Sequence, residues 1–506
     1  MSTDAPPKSA VPLVRADWWA EHRPEEVEDV ARLYHEACEP TKGLPWVRRA
    51  IDRALVAKRS DDVVQFHHWL QDLLGLAGAS ADDRAREGLA LDLRLLMTPG
   101  GAFPQQRLLL EEVLALSPSI PLRWMVEARM VQCQLELDRK EGARALRAFE
   151  EELARAPEEA PREVRARLAI ARAWLNFRLA DWPVVLSTAE ETLSLLGPSD
   201  DPQDRGRALY YGGWALWKLE RRGEAETWLA RLREIAEGPG GHWWIEGVYG
   251  SLGGALGLSK GDLRSAQGSL EAGLSGNRRG GAPWGVTIAL LNLSLVLDLR
   301  GDLGMALRAV SEARESAQRV RYTGGLVSAD CIRGRILLHS RQVQEARTLL
   351  SDALSHAHEL GDSSREAGCR LELADALLCD GDPQGSLSEV DRVGPAKSLS
   401  IEDQHRPALV RAWAHEGLEN SEEARICLEG AEKEARAMGN SLAEAQVRAC
   451  ISRWEHQHGD VRRAHALRTE ADALFDRCGV LPGGWIRDWP PRARLPNVAR
   501  NEREHA

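Results

Sequence analysis

A small residue returns near the start of every second predicted helix at an almost constant interval. It can be followed as Ala143, Val185, Ala225, Ala266, Ala306, Ala346, Ser386, Ala424 and Ala464, with successive gaps of 42, 40, 41, 40, 40, 40, 38 and 40 residues. Eight near-equal gaps define a repeated unit, and a repeated unit limits the fold strongly. Each copy buries its apolar face only against its neighbours, so the array grows without one central core. A chain of 506 residues is too long for one ordinary core and shows no compositional break into two domains.

The unit reads as two antiparallel helices. A turn written Gly-Asp separates them at Gly261-Asp262, Gly301-Asp302, Gly381-Asp382 and Gly459-Asp460. Glycine closes the first helix in the left-handed conformation, and aspartate caps the free amides that open the second. The small residue lets the paired helices approach closely. Four residues on, a larger apolar residue follows at Leu229, Leu270, Val310, Leu350, Val390 and Leu428. The first helices carry stripes such as Leu209/Gly213/Leu216 and Leu290/Ser294/Leu297, each on a single helical face. Ala, Leu, Arg and Glu dominate, and alternating strand patterns are scarce.

This pattern resembles the tetratricopeptide repeat, with its large–small–large first helix and an alanine opening the second. The period of about 40 exceeds the usual 34 and is similar to the longer-helix variant in the sensor arms of MalT-type bacterial activators. The resemblance covers residues 125 to 478. It implies an all-α fold, a right-handed α-solenoid of antiparallel helix pairs. Val185 and Ser386 depart from the alanine, and Asp181-Trp182-Pro183 replaces one turn. The expected organisation is a disordered N-terminus over 1–15, a helical cap or degenerate repeats over 16–120, the superhelix over 121–479, and an extended tail over 480–506, with folding back on the last unit as its alternative. Within the cap, Pro24 should start a helix to about Cys38 and Pro45 another to about Arg59; segments around Val64 and Gln106 continue it.

Net charge is −11 and both signs are mixed along the chain, which excludes the basic stripe of a general nucleic-acid binder. Positive charge is nearly all arginine, the mark of a GC-rich genome. Eight cysteines are scattered with no Cys-x-x-Cys pair, as in small buried residues of a reducing compartment. The polar N-terminus lacks an apolar signal core, and no run approaches the 18 to 20 apolar residues of a membrane span. A cytoplasmic bacterial protein is expected.

Motifs of covalent chemistry are missing. There is no Gly-x-x-x-x-Gly-Lys-[Ser/Thr] loop and no His-Glu-x-x-His; His415-Glu416 lacks the second histidine. The pairs His67-His68, His356/His358 and His456/His458 point to different helical faces, so no metal site is expected. Arg453 and His458 match a loose Arg-x4-His spacing that chance explains among so many arginines. The expectation is no enzyme, no cofactor and no metal.

Tryptophan is unusually common, 17 residues against five each of Phe and Tyr. Trp174 and Trp214 are 40 apart, as are Phe177 and Trp217, and Tyr210 lies one turn before Trp214. Trp243 and Trp244 open the next unit and Trp284 the one after. These rings lie one residue, or about 100°, around the helix from the stripe that packs on the partner helix. They should therefore line a concave groove. Farther along, the same positions become Arg335, Asp375, Trp413 and Arg453. The reading is a groove, apolar at one end and charged at the other, that holds a protein or peptide segment. Packing of the rings between neighbouring units is the competing account. The Lys/Asn set with which carboxylate-clamp members of the resembled family hold a C-terminus is missing. The functional expectation is a binding scaffold or regulatory adaptor in bacterial signalling. A ligand-responsive sensor is the alternative, and a helical-repeat enzyme comes last.

Overall fold

The computed structural model describes residues 11–56, 60–80, 84, 151, 162–197, 202–238, 243–279, 282–319, 322–394, 399–400 and 403–489. Ala143, the Gln106 segment and residues 490–506 lie outside the described residues. Among those described, all regular structure is helical. The chain divides into two compact units, Met1–Leu175 and Asn176–Ala506.

The first unit holds α1 (Pro12–His22), α2 (Val27–Glu36), α3 (Pro40–Val56) and α4 (Ser60–Leu76), and most of α5 (Arg162–Leu179). Val27, Ala31, Val47, Ile51, Phe66, Leu70 and Leu73 make one core; Ala16, Val30, Leu33 and Tyr34 make a second. Boundaries differ from those read in the sequence. The first helix opens at Pro12, inside the stretch expected to be disordered, because proline at a first helical turn has no amide to leave unpaired. The helix expected from Pro24 opens at Val27. The one expected from Pro45 opens at Pro40, and Pro45 sits inside it at the cost of one backbone bond.

The second unit starts in the last turn of α5 and continues with α6 (Trp182–Leu195). Seven hairpins follow: α7 (Pro202–Lys218) with α8 (Arg222–Glu237), α9 (Trp243–Lys260) with α10 (Leu263–Arg279), α11 (Pro283–Arg300) with α12 (Leu303–Arg319), α13 (Thr323–His339) with α14 (Val343–Leu360), α15 (Ser363–Asp380) with α16 (Pro383–Asp391), α17 (Arg406–Gly417) with α18 (Ser421–Met438), and α19 (Ser441–His458) with α20 (Val461–Cys478). Each first helix packs on its own second helix, and from α7 to α15 each also packs on the next first helix. This is an all-α solenoid of antiparallel helix pairs.

The repeat positions do the work their spacing implies. Val185, Ala225, Ala266, Ala306, Ala346, Ser386, Ala424 and Ala464 are all essentially buried. The α9/α10 pair carries the idea furthest: a methyl group on Gly250 would lie 2.5 Å from Gly273 Cα, so the backbones touch. Asp262, Asp302, Asp382 and Asp460 accept amide hydrogen bonds from Ser265, Met305, Gly385 and Arg462 at 2.8 to 3.1 Å. Gly261, Gly301 and Gly381 take positive φ. Gly459 does not: its φ is −131°, and the amide of Asp460 turns back to Glu455 Oε2. Where the turn lacks glycine, Ala180, Glu220, Arg341 and Glu419 occupy the left-handed region themselves.

The second unit also closes on its own end. Asn440 Nδ2 donates to the Leu258 carbonyl at 2.9 Å, and the amide of Leu481 donates to the Arg300 carbonyl at 2.8 Å. Phe475, Cys478, Val480 and Ile486 share one core with Leu258, Leu263, Leu297 and Val310. Residues 480–489, expected as an extended tail, thus form a packed turn with a short 3-10 helix, Trp485–Asp488.

Candidate functional site

At the N-terminal end of the second unit, α5, α6, α7 and α9 bring their rings together. Phe177 lies 6.0 Å from Tyr210, 6.2 Å from Trp214 and 5.6 Å from Trp182 between centroids. Tyr210 meets Trp214 at 6.4 Å and Trp244 at 6.3 Å, both edge-on, and Trp214 meets Trp217 at 4.9 Å. Edge-to-face contacts of this kind are favoured by the ring quadrupoles. Gly212 of α7 leaves room for Trp228 of the paired helix α8, since any side chain there would collide with that ring. Cations border the cluster: Arg207 stands 5.7 Å over Trp244, and Lys218 Nζ 4.4 Å over Trp217. Phe177, Tyr210, Trp214, Trp243 and Trp244 remain half-buried, whereas Trp217 is buried. Burial pushes the Tyr210 phenol above its ordinary value, so it stays neutral. Trp174 is buried and belongs to the first unit.

The charged half of the row is built differently. Arg335 and Trp413, expected in an open groove, are 2% and 1% exposed, and Asp375 is fully buried. They are interior residues, because α17, α19 and the C-terminal turn cover the face that helical phasing left open. Arg335 Nε donates to Asp298 at 2.9 Å, and its Nη1 to Glu372 at 3.2 Å and to Asp403 at 3.1 Å. Arg406 donates to both oxygens of Glu372, to Asp403 at 2.8 Å and to Asp375. Two guanidiniums thus hold four carboxylates away from water, an arrangement that survives only when each ion has a partner. Trp413 lies under Arg453, 4.9 Å away.

Burial and pairing set the charges. Burial raises Asp375 to about 6 against the pull of Arg406. Asp298 is buried and Asp403 partly so, yet His339 and Arg335 beside the first and Arg406 and Arg335 beside the second keep both carboxyls below the ordinary range. Burial lowers His339, whose Nδ1 lies 2.7 Å from Asp298, and lowers His405 to about 4 despite its bond to Gln446. Cys379 and Cys450 are raised by burial, the latter to about 12, so neither is a thiolate near neutrality.

Sequence reasoning singled out Arg335 and Asp375 but missed Asp298, His339, Glu372, Asp403, His405 and Arg406. One signal was present: Asp298, Arg335 and Glu372 alternate in charge at intervals of 37. That is about one helical turn short of the repeat, which makes them diagonal neighbours on successive first helices. Among the described residues, no group of three or more His, Cys, Asp or Glu could hold a metal ion. No helix among them is long and apolar enough to cross a membrane. His458 bonds to Glu416 at 2.7 Å, and Arg453 is engaged with Trp413.

No family model matches the chain, and no curated protein matches it. Solved structures similar to it are helical-repeat proteins. One is the apo form of the quorum sensor NprR from B. thuringiensis, with 13% identity over 71% of this chain and 99% of that one, TM-score 0.47. Another is a Rap protein complexed with Competence and Sporulation Factor, with 13% identity over 78% and 99%, TM-score 0.42. A third is a signal-transduction ATPase with a tetratricopeptide repeat sensor from Pyrococcus horikoshii, with 11% identity over 84% and 72%, TM-score 0.46. The likeness is one of fold.

Proposed function

We propose that this tetratricopeptide-like chain is a non-catalytic scaffold or regulatory adaptor that holds a protein or peptide segment. The observation that carries the reading is the half-buried ring cluster of Phe177, Tyr210, Trp214 and Trp244, bordered by Arg207 and flanked by Trp243. Rings fixed by their neighbours lose little freedom on binding and offer large apolar area, the features of an interface anchor. The charged cluster, by contrast, is enclosed except at partly exposed Asp403 and supports a structural role.

The test is co-purification of partners with the full chain and with Trp214→Ala, with far-ultraviolet circular dichroism on both. The expected outcome is retained helicity with at least a tenfold loss of the captured partner, about 1.4 kcal/mol or more. Equal capture by a folded Trp214→Ala variant would remove the cluster as the binding surface. A ligand-responsive sensor is the second reading. Closure of the second unit by its own C-terminal residues favours it, because such a contact can be made or broken.

A further inference from the structure

The contacts of residues 479–489 are spread over distant hairpins. Trp485 is held on three sides: its indole Nε1 donates to the Asp298 carbonyl at 2.7 Å, its ring stacks on His339 with centroids 3.3 Å apart and planes 12° from parallel, and Arg335 lies 5.7 Å over it. Before it, the amide of Leu481 bonds to the Arg300 carbonyl, and Arg300 Nε donates to the Gly479 carbonyl at 3.2 Å. Gly484 packs so tightly on Gly301 that a methyl on Gly301 would lie 2.6 Å from Gly484 Cα. After it, Arg487 bonds to Asp472, to Asp476 and to the carbonyls of Val480 and Leu481, and buried Cys450 donates to the Trp489 carbonyl at 3.7 Å.

Two features separate this from ordinary end-capping. A cap covers the last repeat, whereas here the tightest contacts fall on α11, about 180 residues earlier in the chain, and on α13, about 150 earlier. The seat also matches an indole in each respect, with a flat ring to stack on, a cation above it and a carbonyl for the N–H. Beneath Trp485 lies the arginine–carboxylate cluster, whose Arg335 touches both the indole and Asp298.

We propose that residues 479–489 are a closing strap. Trp485 is its anchor, and its release uncovers the Arg335–Asp298–Glu372 face of α11, α13 and α15. The strap occupies in cis the inner surface that the repeat pattern would otherwise leave open to a partner. This stands apart from the ring cluster around Trp214 and is tested separately from it.

Hydrogen exchange read by mass spectrometry on the full chain, with thiol labelling mapped at Cys450 and Cys379, tests the proposal. In the wild type, the Leu481 amide and the 3-10 turn should be protected and both thiols slow to label. Trp485→Ala should speed exchange across 479–489 by at least tenfold and speed labelling of Cys450, while α7 exchanges as before and helicity is kept. Trp485→Phe keeps one aromatic ring but loses the N–H and the second ring of the indole, so it should fold and give a smaller change in the same direction; it decides the matter should the alanine variant not fold. Exchange of the wild-type strap at the rate of an unstructured peptide would overturn the proposal. So would wild-type exchange and labelling in both variants.

Discussion

The two halves of the second unit use one row of helix positions for opposite ends. At α7 the row carries Trp214, half-buried among rings that touch one another and leave edges to solvent. At α13, α15 and α17 it carries Arg335, Asp375 and Trp413, all sealed inside. The ring cluster is only weakly directional and tolerates change, since each contact contributes little alone. The ionic cluster is directional and tolerates little, because a buried ion without its partner is costly. The lesson is that the same phase of a repeat can build a surface or an interior, depending on what is laid across it.

The largest test of that contrast is Arg406→Ala. It would leave Glu372, Asp375 and Asp403 short of a counter-ion inside the protein, and should lower stability in chemical denaturation by about 3–5 kcal/mol. Trp214→Ala should cost roughly 1–2 kcal/mol, since its ring is only partly buried. Equal losses would erase the distinction between the two regions.

A second test uses pH. His405 is lowered to about 4 from an ordinary 6.5, so the unfolded chain takes up its proton first on acidification. Stability contributed by neutral His405 is whole above pH 6.5, falls as pH drops from 6.5 to about 4, and levels below; the shift corresponds to about 3 kcal/mol. Asp375, raised to about 6, works the other way: its contribution is whole below the ordinary carboxylate value and lost as pH rises through about 6. Denaturation midpoints of the wild type and His405→Gln, followed from pH 7 to 4, should therefore converge or cross as the variant escapes the acid loss. Parallel curves would contradict the assignment. The ring cluster has no group titrating there, and Tyr210 is shifted further away from that range.

The smallest effect concerns the turns, which serve both halves alike. Glu220 in the aromatic half and Arg341 in the charged half hold positive φ where other turns use glycine. Glu220→Gly and Arg341→Gly should each raise the thermal midpoint, by about 0.5–1 kcal/mol in stability. A gain at one site only would show that the halves differ in their hairpins and not merely in what fills the row.

The helix pairs, the buried small residue that opens each second helix and most of the glycine–aspartate turns were readable from the amino-acid order. All depend on residues within one turn of each other or about forty apart, and such contacts leave a periodic trace. Ala266, Ala306 and Ala346 are buried for the reason their spacing implies, and Asp302 caps as its place after Gly301 requires. Phe177, Tyr210 and Trp214 come together because their register on neighbouring helices brings them there. The fate of Arg335 and Trp413 had no such trace. Which face a side chain takes is local information, but what covers that face here is Trp485, Trp489 and α19, joined to α9–α11 across gaps of about 180 residues. A contact made once, between segments with no common period, is decided only when the array curls far enough for its ends to meet. The ionic cluster follows from that closure, since only exclusion of water makes Asp298, Arg335, Glu372 and Arg406 depend on one another.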